Sequence, residues 1–198
     1  MYKLPAVGMI YVHENAISVK YSEIAKVSWE NAGFDLELHK AVTPDTLDQQ
    51  ARKLNFGKKE GGRNKGKDFT ETEKAVWYSH IMMWEIAARK ENPLIVVEHD
   101  VLLLKGIEMS MLRSHPIIGL CHCGLLSKHP KKGYRISAGG SYMLNNQIAK
   151  KMIDGLPKTI TCNSDGYIHN FITRYGAFKQ DYSTQLYIPR FGSTIAHD

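Results

Sequence analysis

Apolar and polar positions along this chain switch between two periods, and the switches mark the elements. Pro5-Ala6-Val7-Gly8-Met9-Ile10-Tyr11-Val12 is a nearly continuous apolar run, the pattern of a strand buried on both faces. Residues 21–32 follow at helical spacing, with Ile24, Val27 and Trp29 on or near one face and Gly33 placed to end the helix. Phe34-Asp35-Leu36-Glu37-Leu38 alternates strictly, which predicts a second strand. Strand, helix and strand in so short a span open a βαβ unit. Val42-Thr43-Pro44-Asp45 then reads as a turn into a short helix over 45–54.

The strongest helical pattern runs from Thr70 or Thr72 to about Lys90. Thr70-Glu71-Thr72-Glu73 offers a capping box, and Trp77, His80, Ile81, Trp84 and Ala87 or Ala88 form its apolar stripe. A histidine inside such a stripe is ordinarily a packed, hydrogen-bonded residue. After Asn92-Pro93 the four residues Leu94-Ile95-Val96-Val97 predict a central buried strand, which ends abruptly in Glu98-His99-Asp100-Val101. Period two on a strand sends Glu98 and Asp100 to one side and His99 to the other. Two carboxylates at the C-terminal edge of a buried strand stand where open α/β sheets bind ligands. Such a pair suits a hard divalent cation that shares its shell with substrate phosphates.

Downstream, Leu102 to Leu112 reads as a bend and short helix, and Ile117 to Cys123 as another strand. Ile136 to Leu144 is a glycine-rich approach to a strand, where Gly139 and Gly140 let a backbone come close to a ligand or a neighbour. Asn145 caps a helix to about Ile153, and Ser164 caps a helix with Ile168, Phe171, Ile172 and Tyr175 on its face. Asp165 falls in the first turn of that helix, where a carboxylate suits the helix dipole. Gln185 to Pro189 is a last strand. The fold expected is α/β: a single Rossmann-like domain over 1–198 with a mostly parallel central sheet flanked by helices.

Charge changes this picture at one place. The formal excess of +6 is carried by Arg52, Lys53, Lys58, Lys59, Arg63, Lys65 and Lys67, which face one acid, Glu60. Residues 55–69 hold four glycines and no apolar period, the pattern of a flexible basic loop. Lys58, Lys59, Arg63 and Lys65 there, with Lys132 and Arg135 in a second basic loop over 128–135, are candidate phosphate contacts to an acceptor. Gly66-Lys67 is followed by Asp68, so no Walker pattern is present. The odd count of three cysteines, Cys121, Cys123 and Cys162, points to reduced, metal-free thiols and a cytoplasmic protein. No segment approaches the roughly 18 apolar residues of a membrane span, and Met1-Tyr2-Lys3-Leu4-Pro5 does not open a secretory leader.

Five stretches in order resemble glycosyltransferase family 25, the lipooligosaccharide-type transferases of the GT-A fold. They are Thr72 to His80 with Trp84 behind it; Leu94 to Val101; Gly139 to Leu144 followed by Ala149-Lys150-Lys151-Met152; Ser164-Asp165; and Ile188-Pro189 with Ser193-Thr194-Ile195. The family's middle acid of Glu-Asp-Asp is His99 here, and His13-Glu14-Asn15 stands where an Asn-Leu-Asp-Arg-like start is expected. The resemblance implies transfer of a sugar from a nucleotide-sugar donor to an acceptor hydroxyl, with Mn²⁺ or Mg²⁺ as cofactor. It implies Asp100 and Glu98 as metal ligands, and Glu98, His99, Gly139, Gly140, Ser79 and His80 as donor-side residues, with Ser79 and His80 orienting the site from beneath. Asp165 is the candidate catalytic base. The acceptor expected is a glycan; the local basic charge raises a nucleic acid instead, either a hydroxylated base of phage DNA or the ligand of an inactive relative.

Overall fold

Alternation along one strand divides the core in two. The structure, a computed structural model, describes residues 4–61, 64–103, 107, 110, 115–122, 128–129, 133–134, 140–178 and 184–186. In β3 (Leu94–Glu98), Leu94 and Val96 join one buried cluster while Ile95 and Val97 join another. Its neighbours keep the same parity: Val7 and Met9 of β1 (Ala6–Tyr11) and Met143 of β9 (Ser141–Leu144) face one way, whereas Ile10, Tyr142 and Leu144 face the other. The period of two thus makes β3 the middle of a sheet covered on both sides.

Among the described residues the main sheet has six strands in the order β10 (Ala177–Phe178), β5 (Ile117–Gly119), β9, β3, β1, β2 (Leu36–Lys40). β2, β1 and β3 are parallel, β9 runs antiparallel to both β3 and β5, and β10 is parallel to β5. The expected mostly parallel α/β sheet is therefore present with one reversed strand. A smaller sheet joins β4 (Val101–Leu103), β11 (Thr184–Leu186) and β6 (Cys121–His122), and β7 (Lys128–His129) pairs with β8 (Gly133–Tyr134).

One side of the main sheet packs α1 (Ala16–Glu30). The opposite core takes α2 (Glu71–Arg89), α3 (Asn146–Asp154) and α4 (Ser164–Tyr175). α2 starts where its capping box predicts: Thr70 Oγ1 accepts from the Glu73 amide at 3.2 Å, and Glu73 accepts from the Thr70 amide at 2.9 Å.

Several boundaries differ from the sequence reading, each for a local reason. α1 begins at Ala16, because the Asn15 Oδ1 accepts from the Ile17 and Ser18 amides at 2.9 and 3.1 Å and caps it there. Its buried face is Ser18, Ser22, Ala25 and Trp29, while Ile24 and Val27 point outward. β2 starts at Leu36, since Phe34 packs its ring edge-on against Trp29 at 5.4 Å. The short helix after it is a 3₁₀ turn over Pro44–Gln49. The central strand stops at Glu98, and the chain turns through His99 and Asp100 into β4 of the other sheet. The strand expected to Cys123 breaks at Leu120 between β5 and β6, and Asn163, not Ser164, caps α4.

The glycine-rich basic stretch is tied down along its described residues. Gly57 and Glu60 donate to Ile160 and Thr161 carbonyls at 2.9 Å, and the Ile160 amide returns a bond to Asn55 at 2.7 Å. Across the stretch itself, the Gly66 amide bonds the Lys59 carbonyl at 2.7 Å, and Phe56 and Phe69 rings meet at 5.1 Å.

Candidate functional site

The C-terminal ends of β1, β2 and β3 open into a cavity of about 170 Å³. Ile10, Val12, Ala41, Val42, Pro44 and Val76 give it apolar walls, while Asn15, Thr43, Thr72, Ser79, His80, Glu98 and His99 bring polar groups to it. A largely apolar cleft with a few convergent polar groups at the carboxyl edge of a parallel sheet is where this architecture binds ligands. The long helix forms the floor. The Ser79 hydroxyl donates to the Ala75 carbonyl at 2.9 Å and accepts from the Val42 amide at 2.9 Å, pinning the exit of β2 onto α2.

Glu98 follows the parity of Leu94 and Val96, so it faces α2 and meets His80, whose Nε2 lies 3.6 Å from its Oε1. Burial pushes the Glu98 carboxyl up, but the His80 contact and the positive potential of His80 and His99 outweigh it, so it lies below the usual carboxylate range. Burial holds the His99 imidazole below its usual value against the pull of Glu98, which favours a neutral ring at neutral pH. Behind His80, its Nδ1 lies 3.0 Å from the Tyr142 hydroxyl, and that hydroxyl accepts from the Trp84 indole at 2.8 Å. Burial drives the Tyr142 phenol far above its ordinary value, the Trp84 bond opposes this, and the Glu98 and Asp165 charges add to it.

The residues expected at the site fall into three groups. Glu98, His99, Ser79 and His80 line the cavity together. His99 joins Glu98 there, contrary to the period-two expectation, because the strand has ended and both Glu98 and the turn residue reach the opening. Asp100 occupies the same turn but is not part of the lining. Gly140 contributes backbone, its carbonyl accepting from the Glu98 amide at 3.0 Å. Asp165 sits half-buried in the first turn of α4, outside the cavity lining, and is linked to the site through the field it exerts on Tyr142. Gly139, Arg63, Lys132 and Arg135 lie outside the described residues.

The basic stretch exposes Lys58 and Lys65 but buries Lys59. Lys59 is turned inward: its ammonium makes 2.6 and 2.7 Å bonds to the Glu73 carboxylate and lies 5.3 Å from the Phe69 ring centre. That pairing engages its ammonium within the fold. Lys58 is exposed but pairs with Asp68 at 2.8 Å, and Lys65 is exposed. Among the described residues no trio of His, Cys, Asp and Glu converges as a metal cluster. Cys162 is a free, half-buried thiol whose pKa burial pushes up, which lowers its thiolate fraction.

Sequence reasoning passed over Asn15, Thr43 and Thr72 as cavity residues. Asn15 and Thr43 each hold an N-cap position in the sequence, and that signal conceals a second use at the cleft. Tyr142 was visible as part of a motif but without a role.

The sequence model of glycosyltransferase family 25, described as an LPS biosynthesis protein, matches residues 16–117, just over half of the chain. The chain belongs to glycosyltransferase family 25. It is accordingly a transferase enzyme, and two of the five resembling stretches, Thr72 to His80 with Trp84 and Leu94 to Val101, fall within the matched residues. No curated protein sequence matches it. Among solved structures, the family 25 chain is similar in fold to the galactosyltransferase LgtC, solved with donor and acceptor sugar analogues. Their sequence identity is 10%, the TM-score 0.50, and 93% of this chain and 87% of that one are covered. It also aligns with the apo form of the glycosyltransferase GlyE of Streptococcus pneumoniae TIGR4, at 12% identity and a TM-score of 0.49. That match covers 95% of this chain and 55% of the GlyE chain. No helix among the described residues is long and apolar enough to cross a membrane.

Proposed function

We propose that this family 25 enzyme moves a sugar from a nucleotide-sugar to a hydroxyl of a glycan acceptor, with the donor nucleotide in the cleft at the ends of β1, β2 and β3. The observation that carries this reading is the pairing of apolar walls with Glu98 and His99 at the carboxyl edge of the sheet. Ile10, Val12, Val42 and Pro44 offer faces to a planar base, and an ionised Glu98 accepts from hydroxyls of the ribose.

A divalent cation, Mn²⁺ or Mg²⁺, fits the acids at the strand end in a limited way. Such ions need one or two carboxylates and complete their shell with water and substrate phosphate, so a protein cage is not required. Asp100 and Glu98 would hold the cation, Glu98 with the oxygen not turned to His80. Such a cation would supply charge neutralisation for the departing diphosphate. Asp165 serves as the base that takes the acceptor proton in a single displacement, a role supported by its helix-start position on the Tyr142 side of the site.

A glycan acceptor is preferred to a nucleic acid because Lys59 is neutralised by Glu73 and Lys58 by Asp68, which leaves the basic stretch a weaker phosphate track than its sequence suggests. The test is a screen of nucleotide-sugars for hydrolysis with Mn²⁺, with Mg²⁺ and with chelator. Cation-dependent turnover of one nucleotide-sugar is expected. Failure of every donor with either cation, in protein shown to be folded, overturns the reading.

A further inference from the structure

Tyr142 carries one proton and stands between a group that can only donate and one that can do either. Resting on the reading that Glu98 faces the donor, we propose that Trp84 and Tyr142 are positioning residues: their hydrogen bonds run in one direction and fix the His80 imidazole with its Nε2–H toward Glu98. The Trp84 indole N–H is donor only, so at 2.8 Å it fills an acceptor site of the Tyr142 oxygen. The phenolic proton then has His80 Nδ1, at 3.0 Å, as its partner. Tyr142 is fully buried and His80 is 1% exposed, so bulk water does not compete for that proton.

The opposite tautomer fails twice. A proton on Nδ1 would point at an oxygen that already accepts from Trp84 and would leave the phenolic proton without its partner. It would also turn the bare Nε2 lone pair toward the Glu98 oxygen 3.6 Å away. Each mismatch leaves a buried polar group unsatisfied. With the proton on Nε2, both are removed, and donation passes from Trp84 to Tyr142 to His80 to Glu98. The final link is long for a hydrogen bond and acts as an oriented electrostatic contact.

Three elements build this line. α2 supplies His80 and Trp84 four residues apart, on one face of the helix. β9 places Tyr142 beside Val96, and Glu98 lies two residues further on the same face of β3. The line therefore runs from the aromatic core, where Trp84 meets Trp77 and Tyr167, to the wall of the cleft. It gives one physical reason for a histidine, a tryptophan, a tyrosine and a glutamate that are scattered across the sequence.

The tautomer is read directly by long-range ¹H–¹⁵N correlation of the imidazole rings in the full chain without donor, with His80 assigned by its loss in His80→Gln. A bare Nδ1 and a proton on Nε2 of His80 are expected in the wild type. Tyr142→Phe, which deletes one oxygen, should lose that single tautomer, and Trp84→Phe should leave a mixture. Turnover of the nucleotide-sugar selected by the hydrolysis screen should fall about tenfold in Tyr142→Phe, the scale of other outer contacts that orient a site, with near-ultraviolet circular dichroism unchanged. An Nδ1–H tautomer in the wild type overturns the proposal. So does a tautomer indifferent to both variants, or a lost tautomer with turnover intact. If no nucleotide-sugar is turned over, the reading of Glu98 as a donor contact fails while the ring spectra still decide the direction of the line.

Discussion

Against α1 the sheet presents Val7, Met9, Ile95, Val97, Ile118 and Met143; against α2 it presents Ile10, Val96, Tyr142 and Leu144, with Glu98 at the edge. Polar groups occur on both sides, but they are satisfied differently. On the α1 side they close locally: Ser22 donates to Val19 at 2.7 Å, Ser18 accepts from the Val12 amide at 2.9 Å, and the Trp29 indole donates to the Val101 carbonyl at 3.1 Å. On the α2 side Trp84, Tyr142 and His80 bond to one another and end at the cleft. A buried polar group closed on its own neighbourhood supports the fold, whereas a linked set transmits a geometry to the surface. The proposed donor cleft lies on the second face.

The largest effect should come from the first face. Trp29→Ala removes a fully buried ring from the α1 side and should cost about 3–5 kcal/mol of unfolding free energy, read from chemical denaturation. Turnover per folded molecule should stay near wild type. A loss of activity in the folded fraction would mean that the α1 side also shapes the cleft, and the contrast between faces would break.

Asp100→Asn tests the strand end instead. A hard cation needs anionic oxygen and the amide offers a neutral carbonyl, so cation-dependent turnover should drop by roughly 10²–10³ with denaturation unchanged. Near-normal turnover at limiting cation would remove Asp100 from the site. Asp165→Asn should be milder, on the order of 10² in kcat, and nucleoside diphosphate binding in the presence of Mn²⁺ should be unaffected. A matching loss of binding would show Asp165 to be a donor contact and not a base.

What could be read in the sequence follows from how local each feature is. The α2 start was legible because Thr70 and Glu73 satisfy one another within a single turn. The two-faced β3 was legible because parity needs no partner. The buried face of α1 was not, since Ser18, Ser22 and Ala25 are small residues that let the helix approach the sheet, and large Ile24 and Val27 drew the eye to the exposed side. The bonds that hold the start of the basic stretch were not legible, because their partners, residues 160 and 161, lie a hundred positions away. Glu98 and His99 were legible as polar residues at a strand end, but their joint presence at the cleft depends on a turn that the apolar run does not announce.

The smallest effect sharpens the comparison at the start of α2, where the basic stretch is anchored. Burial pushes the Glu73 carboxyl up, but bonds from Lys59 and Thr70 and the Lys59 charge outweigh it, so its folded pKa lies below the ordinary value of 4.5. A carboxyl lowered on folding contributes stability above its unfolded pKa, and that contribution is lost as pH falls through the folded value. Glu73→Gln keeps an acceptor for the Thr70 amide, since glutamine also serves the capping box, and so isolates the bond to Lys59. The inward-facing ammonium would then retain the Phe69 ring but no anion. The wild type should exceed the variant by about 1 kcal/mol at neutral pH, and denaturation midpoints should converge as pH is taken below about 4.5. Donor turnover should change little, because neither Lys59 nor Glu73 lines the cleft. A constant difference across pH would assign the effect to packing, and a large loss of turnover would show that the anchored stretch holds Thr72 and Val76 in place at the cavity.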